Sequence, residues 1–72
     1  MKKVKKIKIK LNGKAKLIAE NSKILGLIKG LNIPIKKVAI ELNQEILDKK
    51  KLNRIKLKKN DIIEIVHFIG GG

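Results

Sequence analysis

The chain has 72 residues, no cysteine and a formal net charge of +13 at pH 7. This length predicts one domain that buries only about 60% of its unfolded surface, which excludes a deep catalytic cleft, and the lack of cysteine excludes a disulfide framework. Because lysine dominates the charge and Phe68 is the one aromatic residue, we expect only nonspecific adhesion to nucleic acid. No apolar run reaches the roughly 20 residues that cross a bilayer, so we expect no membrane contact, and the cytoplasm is the default location for a chain without cysteine.

A β-hairpin is predicted first. Apolar residues and lysines alternate from Lys5 to Leu11, which is the period of a half-buried strand. Asn12-Gly13 supplies the two positive-φ residues of a tight turn. A second strand follows from Lys14 to about Ala19, and we expect Ala15 and Leu17 to point to the core.

An amphipathic helix is predicted next. Asn21 or Ser22 can cap its start. Gly30 or Asn32 can end it, and Pro34 prevents its continuation. Its apolar residues recur at helical spacing and form a stripe that we expect to cover one face of a sheet: Ile24, Leu25, Leu27, Ile28 and Leu31.

Three more strands complete the predicted sheet. Residues 38–42 alternate as a third strand, and Asn43-Gln44 turns the chain into a short fourth strand over residues 45–47. The lysine-rich residues 49–54 form a connection with one helical turn, and residues 59–61 turn the chain into the last strand.

The last strand, residues 61–69, carries the candidate docking residues. If Ile63 and Ile65 point to the core, alternation sends Glu64, Val66 and Phe68 to the opposite face. Val66 and Phe68 would then form an apolar patch beside the C-terminus, although Phe68 could equally close the end of the core.

The order β-β-α-β-β-β predicts an α+β fold, a mixed sheet of four to five strands packed around one helix. This is the order of the ubiquitin-like β-grasp. We expect a single domain over residues 1–72, ending in a flexible tail over residues 70–72.

The tail is Gly70, Gly71 and Gly72. Without Cβ atoms these residues form a thin thread that can enter a narrow active site and present its carboxylate there. We therefore expect this protein to be a substrate. The alternative is a frayed end or a cloning remnant.

Residues that could carry catalysis within the chain are not grouped in the sequence. His67 is the one histidine, and the six carboxylates are scattered. A lone histidine without cysteine is a poor metal site, so we expect no catalytic residue, no metal and no bound cofactor.

Three segments resemble one known family: Ile9 to Lys14, Val38 to Asn43, and Asp61 to Gly72. They look like the first hairpin, the third strand and the C-terminus of the ThiS sulfur carriers of thiamine thiazole biosynthesis. Three features depart from the family: Asn60 replaces a usual glycine, residues 21–23 lack a threonine-rich helix start, and the net charge of +13 is more basic than expected.

This resemblance implies a protein cosubstrate rather than an enzyme. An ATP-using, ubiquitin-activating-like adenylyltransferase would adenylate Gly72, a persulfide donor would convert it to a thiocarboxylate, and thiazole synthase would receive the sulfur. Gly70 and Gly71 would thread into the partner, while Val66, Phe68 and Ile69 would dock on it. The lysines at positions 49–51 either steer this association or are a solvated loop.

Other functions stay open at this point. Similar carriers supply sulfur for molybdopterin synthesis or tRNA thiolation, and a ubiquitin-like modifier would instead join Gly72 to lysine amines. A small basic nucleic-acid-binding module is the remaining alternative, and its binding would depend strongly on salt and survive removal of Gly71 and Gly72.

Overall fold

The computed structural model describes residues 5–68. These residues form a five-stranded sheet in the order β2-β1-β5-β3-β4, with β5 in the middle. The β1–β5 pair is parallel and the other pairs are antiparallel. The element bounds are β1 Lys6–Leu11, β2 Lys14–Ala19, α1 Ile24–Gly30, β3 Val38–Leu42, β4 Glu45–Ile46 and β5 Ile62–His67. The predicted β-β-α-β-β-β order and mixed sheet are confirmed.

Two short 3-10 helices connect the strands. One spans Ile35–Lys37 and leads into β3, and the other spans Lys49–Arg54 between β4 and β5. The second is the predicted helical turn of the lysine-rich connection. No helix within residues 5–68 is long and apolar enough to span a bilayer.

The core lies between α1 and one face of the sheet. It is built almost entirely from aliphatic side chains, which pack as α1 and the second 3-10 helix cover the strands. The buried apolar residues are Ile9, Ile18, Ile24, Ile28, Val38, Ile40, Leu52, Leu57, Ile63 and Ile65.

The predicted orientation of β2 is wrong. Leu17 is 63% exposed and Ala15 is exposed, whereas Ile18 is buried. The two-residue turn sets Leu11 opposite Lys14, and the same register sets Leu17 opposite Lys8. Directly opposed residues share a face, so Leu17 lies on the outer face with the lysines of β1.

The predicted helix cap is also wrong. The N-cap residue is Lys23, which makes no side-chain capping bond, and the Ser22 hydroxyl donates to the Ala19 carbonyl instead. The segment is set by tertiary pairing, since the Ile24 N–H donates to the Ile55 carbonyl and the Leu57 N–H donates to the Ser22 carbonyl. Backbone pairing with residues 55–57 thus fixes where the helix begins.

Asparagines occupy the left-handed backbone positions. Asn12 and Gly13 both have positive φ, as predicted, and so do Asn43 and Gln44 in the β3–β4 turn. Asn60 has φ +70°, a conformation that asparagine tolerates better than most residues. This conformation explains how asparagine can stand at a position where the resembling family usually has glycine.

Candidate docking face and tail exit

The central strand β5 leads directly to the C-terminal tail. Its residues alternate as predicted, with Ile63 and Ile65 buried and Ile62, Glu64 and Val66 exposed. The strand ends at His67, shorter than the predicted 61–69. Because α1 covers the opposite face, the outward side chains of β5 form an uncovered surface that runs toward the tail.

Both hairpin turns hold β5 through asparagine side chains. Asn12 Oδ1 accepts the Ile65 N–H at 2.8 Å, and Asn43 Oδ1 accepts the Ile62 N–H at 2.9 Å. Each side-chain oxygen accepts a backbone N–H of β5 just after β1 or β3 ends, and so extends the hydrogen-bonded pairing with β5 by one bond. The sequence predicts Asn12 only as a turn residue and does not predict this contact, although an asparagine opens both hairpin turns.

The buried residue Asp61 directly precedes β5 and fixes the start of the strand. Its side chain is only 9% exposed. Oδ1 accepts from Asn43 Nδ2 at 3.0 Å, and Oδ2 accepts the Lys58 N–H at 2.7 Å. With both oxygens bonded, this carboxylate ties the β3–β4 turn to the turn that precedes β5.

Two contacts hold Phe68, the last described residue. Its N–H donates to the Lys37 carbonyl at 2.9 Å, and Lys49 Nζ lies 5.2 Å from the centroid of its ring. An ammonium at this distance over an aromatic face is a cation–π contact. The ring is nonetheless 55% exposed, and Val66 is 53% exposed. Phe68 therefore stands at the surface rather than closing the core.

The tail itself lies outside the described residues. Ile69 lies outside them as well. The predicted docking residue Ile69, the predicted threading residues Gly70 and Gly71 and the predicted reacting residue Gly72 are therefore not described. His67 is exposed, and the side chains of residues 5–68 contain no group of three metal-binding residues.

A five-stranded mixed sheet packed on one helix, with a central last strand leading to a glycine tail, defines a protein of the ubiquitin-like β-grasp class. The ThiS family model matches residues 9–72. The chain belongs to the ThiS family.

Known relatives agree with this membership. The Sulfur carrier protein ThiS of Bacillus subtilis (strain 168) is 38% identical over 65 residues, which cover 89% of this chain and 98% of the relative. The crystal structure of the thiamine biosynthesis protein ThiS from Geobacter metallireducens superposes with a TM-score of 0.81 at 29% identity, covering 92% of this chain and all of that one.

Two longer proteins also match. The Thiazole synthase of Magnetococcus marinus is 38% identical over 66 residues, and that of Paramagnetospirillum magneticum is 33% identical over the same length. The match covers 92% of this chain but 20% of each relative, so the chain spans about a fifth of their length.

Proposed function

We propose that this chain is a sulfur carrier of thiamine biosynthesis and acts in the cytoplasm as a protein cosubstrate, with Gly72 as the residue that carries sulfur. The observation that supports this most directly is the match over 98% of the Bacillus subtilis sulfur carrier. In this proposal Gly70 and Gly71 form the thread that enters the partner, and Gly72 carries the reacting carboxylate.

The carboxylate of Gly72 needs activation because its charge is delocalised and oxide is a poor leaving group. In the proposed first step, a carboxylate oxygen attacks the α-phosphate of ATP and pyrophosphate leaves, which gives an acyl-adenylate. The terminal sulfur of a persulfide donor then attacks the acyl carbon and displaces AMP. A thiol reduces the remaining S–S bond, which leaves the thiocarboxylate that thiazole synthase uses.

The protein contributes position rather than chemistry to these steps. Its partners hold the ATP and the persulfide, while the carrier supplies binding energy remote from the reacting carbon. We propose that Val66, Phe68 and Ile69 supply part of that energy, since Val66 and Phe68 expose apolar surface where the tail begins. No cofactor or metal of its own is required.

Gly71→Val tests the threading role. We expect it to abolish ATP–pyrophosphate exchange by the adenylyltransferase, because a β-branched side chain widens the thread and restricts its backbone. Gly26→Val is the matched control, since nothing lies within 4 Å of a Cβ at that helical glycine. Circular dichroism should show both variants folded. Equal exchange by wild type and Gly71→Val would contradict the proposal.

Intact-protein mass spectrometry tests the sulfur step. Full-length chain incubated with the adenylyltransferase, ATP, magnesium and a persulfide donor should gain the mass difference between sulfur and oxygen, confined to the C-terminal peptide. A chain lacking Gly71 and Gly72 should gain nothing. Lysine adducts of Gly72 in place of this mass change would identify a modifier instead.

Phe68→Ala tests the docking role. We expect the KM for the carrier to rise while the melting midpoint changes little, since the ring is more than half exposed. Leu17→Ala is the control, because Leu17 is similarly exposed on β2, at the far edge of the sheet. Matching KM values for the two variants would remove Phe68 from the docking surface.

A further inference from the structure

Two glutamates face each other on the outer side of the sheet. Glu41 of β3 is directly opposite Glu64 of β5 in the antiparallel register. Such partners share a face with Cβ atoms about 5 Å apart, and like charges in this arrangement destabilise a sheet. The chain has only six carboxylates against 19 basic residues, so two of its few negative charges stand side by side.

Among residues 5–68, side-chain hydrogen bonds are described for the carboxylates of Asp61 and Asp48 and for none of the glutamates, Glu41 and Glu64 included. Asp61 accepts two internal hydrogen bonds, and Asp48 accepts the Lys50 N–H at the start of the second 3-10 helix. Glu64 is exposed and Glu41 is half-buried. Folding therefore gives no reason to place these two charges together.

Apolar side chains surround the pair. Ile46 is opposite Glu41 in the β3–β4 register, and Ile62 and Val66 flank Glu64 along β5. Among residues 5–68, these three and Phe68 are four of the five large apolar side chains that are most exposed. A contiguous exposed apolar patch marks a protein-binding surface, and its side chains exclude water from a central contact when a partner docks.

Charge complementarity identifies the group that fits the centre. The two carboxylates repel nucleic-acid phosphates and attract a cation. Arginine suits them best because its planar guanidinium carries five donors and can bond to both carboxylates at once. Lys10 lies opposite Ile62 on the neighbouring strand. A basic side chain of a partner is therefore attracted by the two glutamates and repelled by Lys10 beside them.

We propose that Glu41 and Glu64 together bind one arginine side chain of the enzyme that adenylates Gly72, with Ile46, Ile62 and Val66 excluding water around it. This inference rests on the proposed function and adds the chemistry of the partner. The arginine relieves the repulsion between the glutamates and sets the position of the carrier before its tail enters the active site.

The test uses the full chain and an adenylyltransferase selected because it catalyses ATP–pyrophosphate exchange with wild type. In the double variant Glu41→Gln, Glu64→Gln, we expect the KM for the carrier to rise at least tenfold and kcat to stay within twofold. Glu64→Lys should raise KM further because it repels the arginine. Glu45→Gln is the control, since Glu45 is opposite Leu42 and thus on the other side of the sheet.

Thermal unfolding gives a second readout. Removing the repulsion should leave the melting midpoint of the double variant equal to that of wild type or higher. An unchanged KM would overturn the inference while the proposed function stands, and so would a lower melting midpoint, because it would show that the pair stabilises the free chain. Failure of every adenylyltransferase to exchange with wild type would overturn the proposed function, and this inference with it.

Discussion

Replacing Asp61 by asparagine should destabilise the protein far more than such a small change in the side chain suggests. The carboxylate accepts from Asn43 Nδ2 at 3.0 Å and from the Lys58 N–H at 2.7 Å. An amide has one oxygen and one NH2 group, so one of these contacts becomes donor against donor. Asn43 cannot rotate its amide to compensate, because its oxygen already accepts the Ile62 N–H.

The magnitude follows from these bonds. A hydrogen bond to a charged group contributes about 1.5–3 kcal/mol, and a buried donor left without a partner loses a similar amount. We therefore expect Asp61→Asn to lower the free energy of unfolding by about 2–3 kcal/mol. A chain of this length has a total stability of roughly 4–11 kcal/mol. At about 4–8 °C per kcal/mol, the melting midpoint should fall by roughly 8–24 °C.

Urea unfolding followed by far-ultraviolet circular dichroism measures this loss, since the chain has no tryptophan or tyrosine for fluorescence. Asp48→Asn is the matched control, because it changes the net charge equally while the amide oxygen can still accept the single Lys50 N–H bond of that exposed side chain. The midpoint should shift at constant slope if the native fold persists. If the losses of unfolding free energy for Asp61→Asn and Asp48→Asn differ by less than about 1 kcal/mol, the lowest cost of leaving a buried donor without a partner, the reasoning is refuted.

Four further substitutions can be measured in the same assay. Leu52→Ala, at a side chain 1% exposed, should lose about 2–5 kcal/mol, and a loss under 1 kcal/mol would contradict its place in the core. Leu17→Ala should change stability by less than about 0.5 kcal/mol, whereas an inward Leu17 would behave like Leu52. Gly26→Ala should stabilise α1 by about 0.5–1 kcal/mol because its Cβ meets open space. Gly13→Ala should destabilise the protein by about 1 kcal/mol because the φ of Gly13 is +82°. A Gly13→Ala variant more stable than Gly26→Ala would refute both expectations.

The elements that the sequence predicted well are those with a local physical cause. Alternation in β1, β3 and β5 reflects which residues can face an apolar core, and it correctly placed Ile63 and Ile65 inside. Asn12-Gly13 and Asn43-Gln44 were readable as turns because few residues accept positive φ. The candidate site was partly readable for the same reason, since Val66 was assigned to the outer face from alternation alone.

Predictions from the sequence are wrong where residues distant in the chain determine the local structure. In β2, Leu17 and Ile18 are both apolar, and only the register with β1 determines which one points inward. At the helix start, Asn21 and Ser22 are residue types that cap helices well, but backbone pairing with residues 55–57 determines where the helix begins. Both errors arise because local preferences are worth about 1 kcal/mol or less, which tertiary contacts easily exceed.

By itself, therefore, the sequence determined the order of elements, the strand faces with strict alternation, and the glycine tail that suggests a carrier. Only the tertiary structure decided which outward residues become neighbours. Glu41 and Glu64 are far apart in the chain and adjacent in the sheet, and Asn12 bonds to Ile65 although the two are 53 positions apart. Such contacts depend on strand order and register, which arise from packing the whole core at once and leave no local pattern to read.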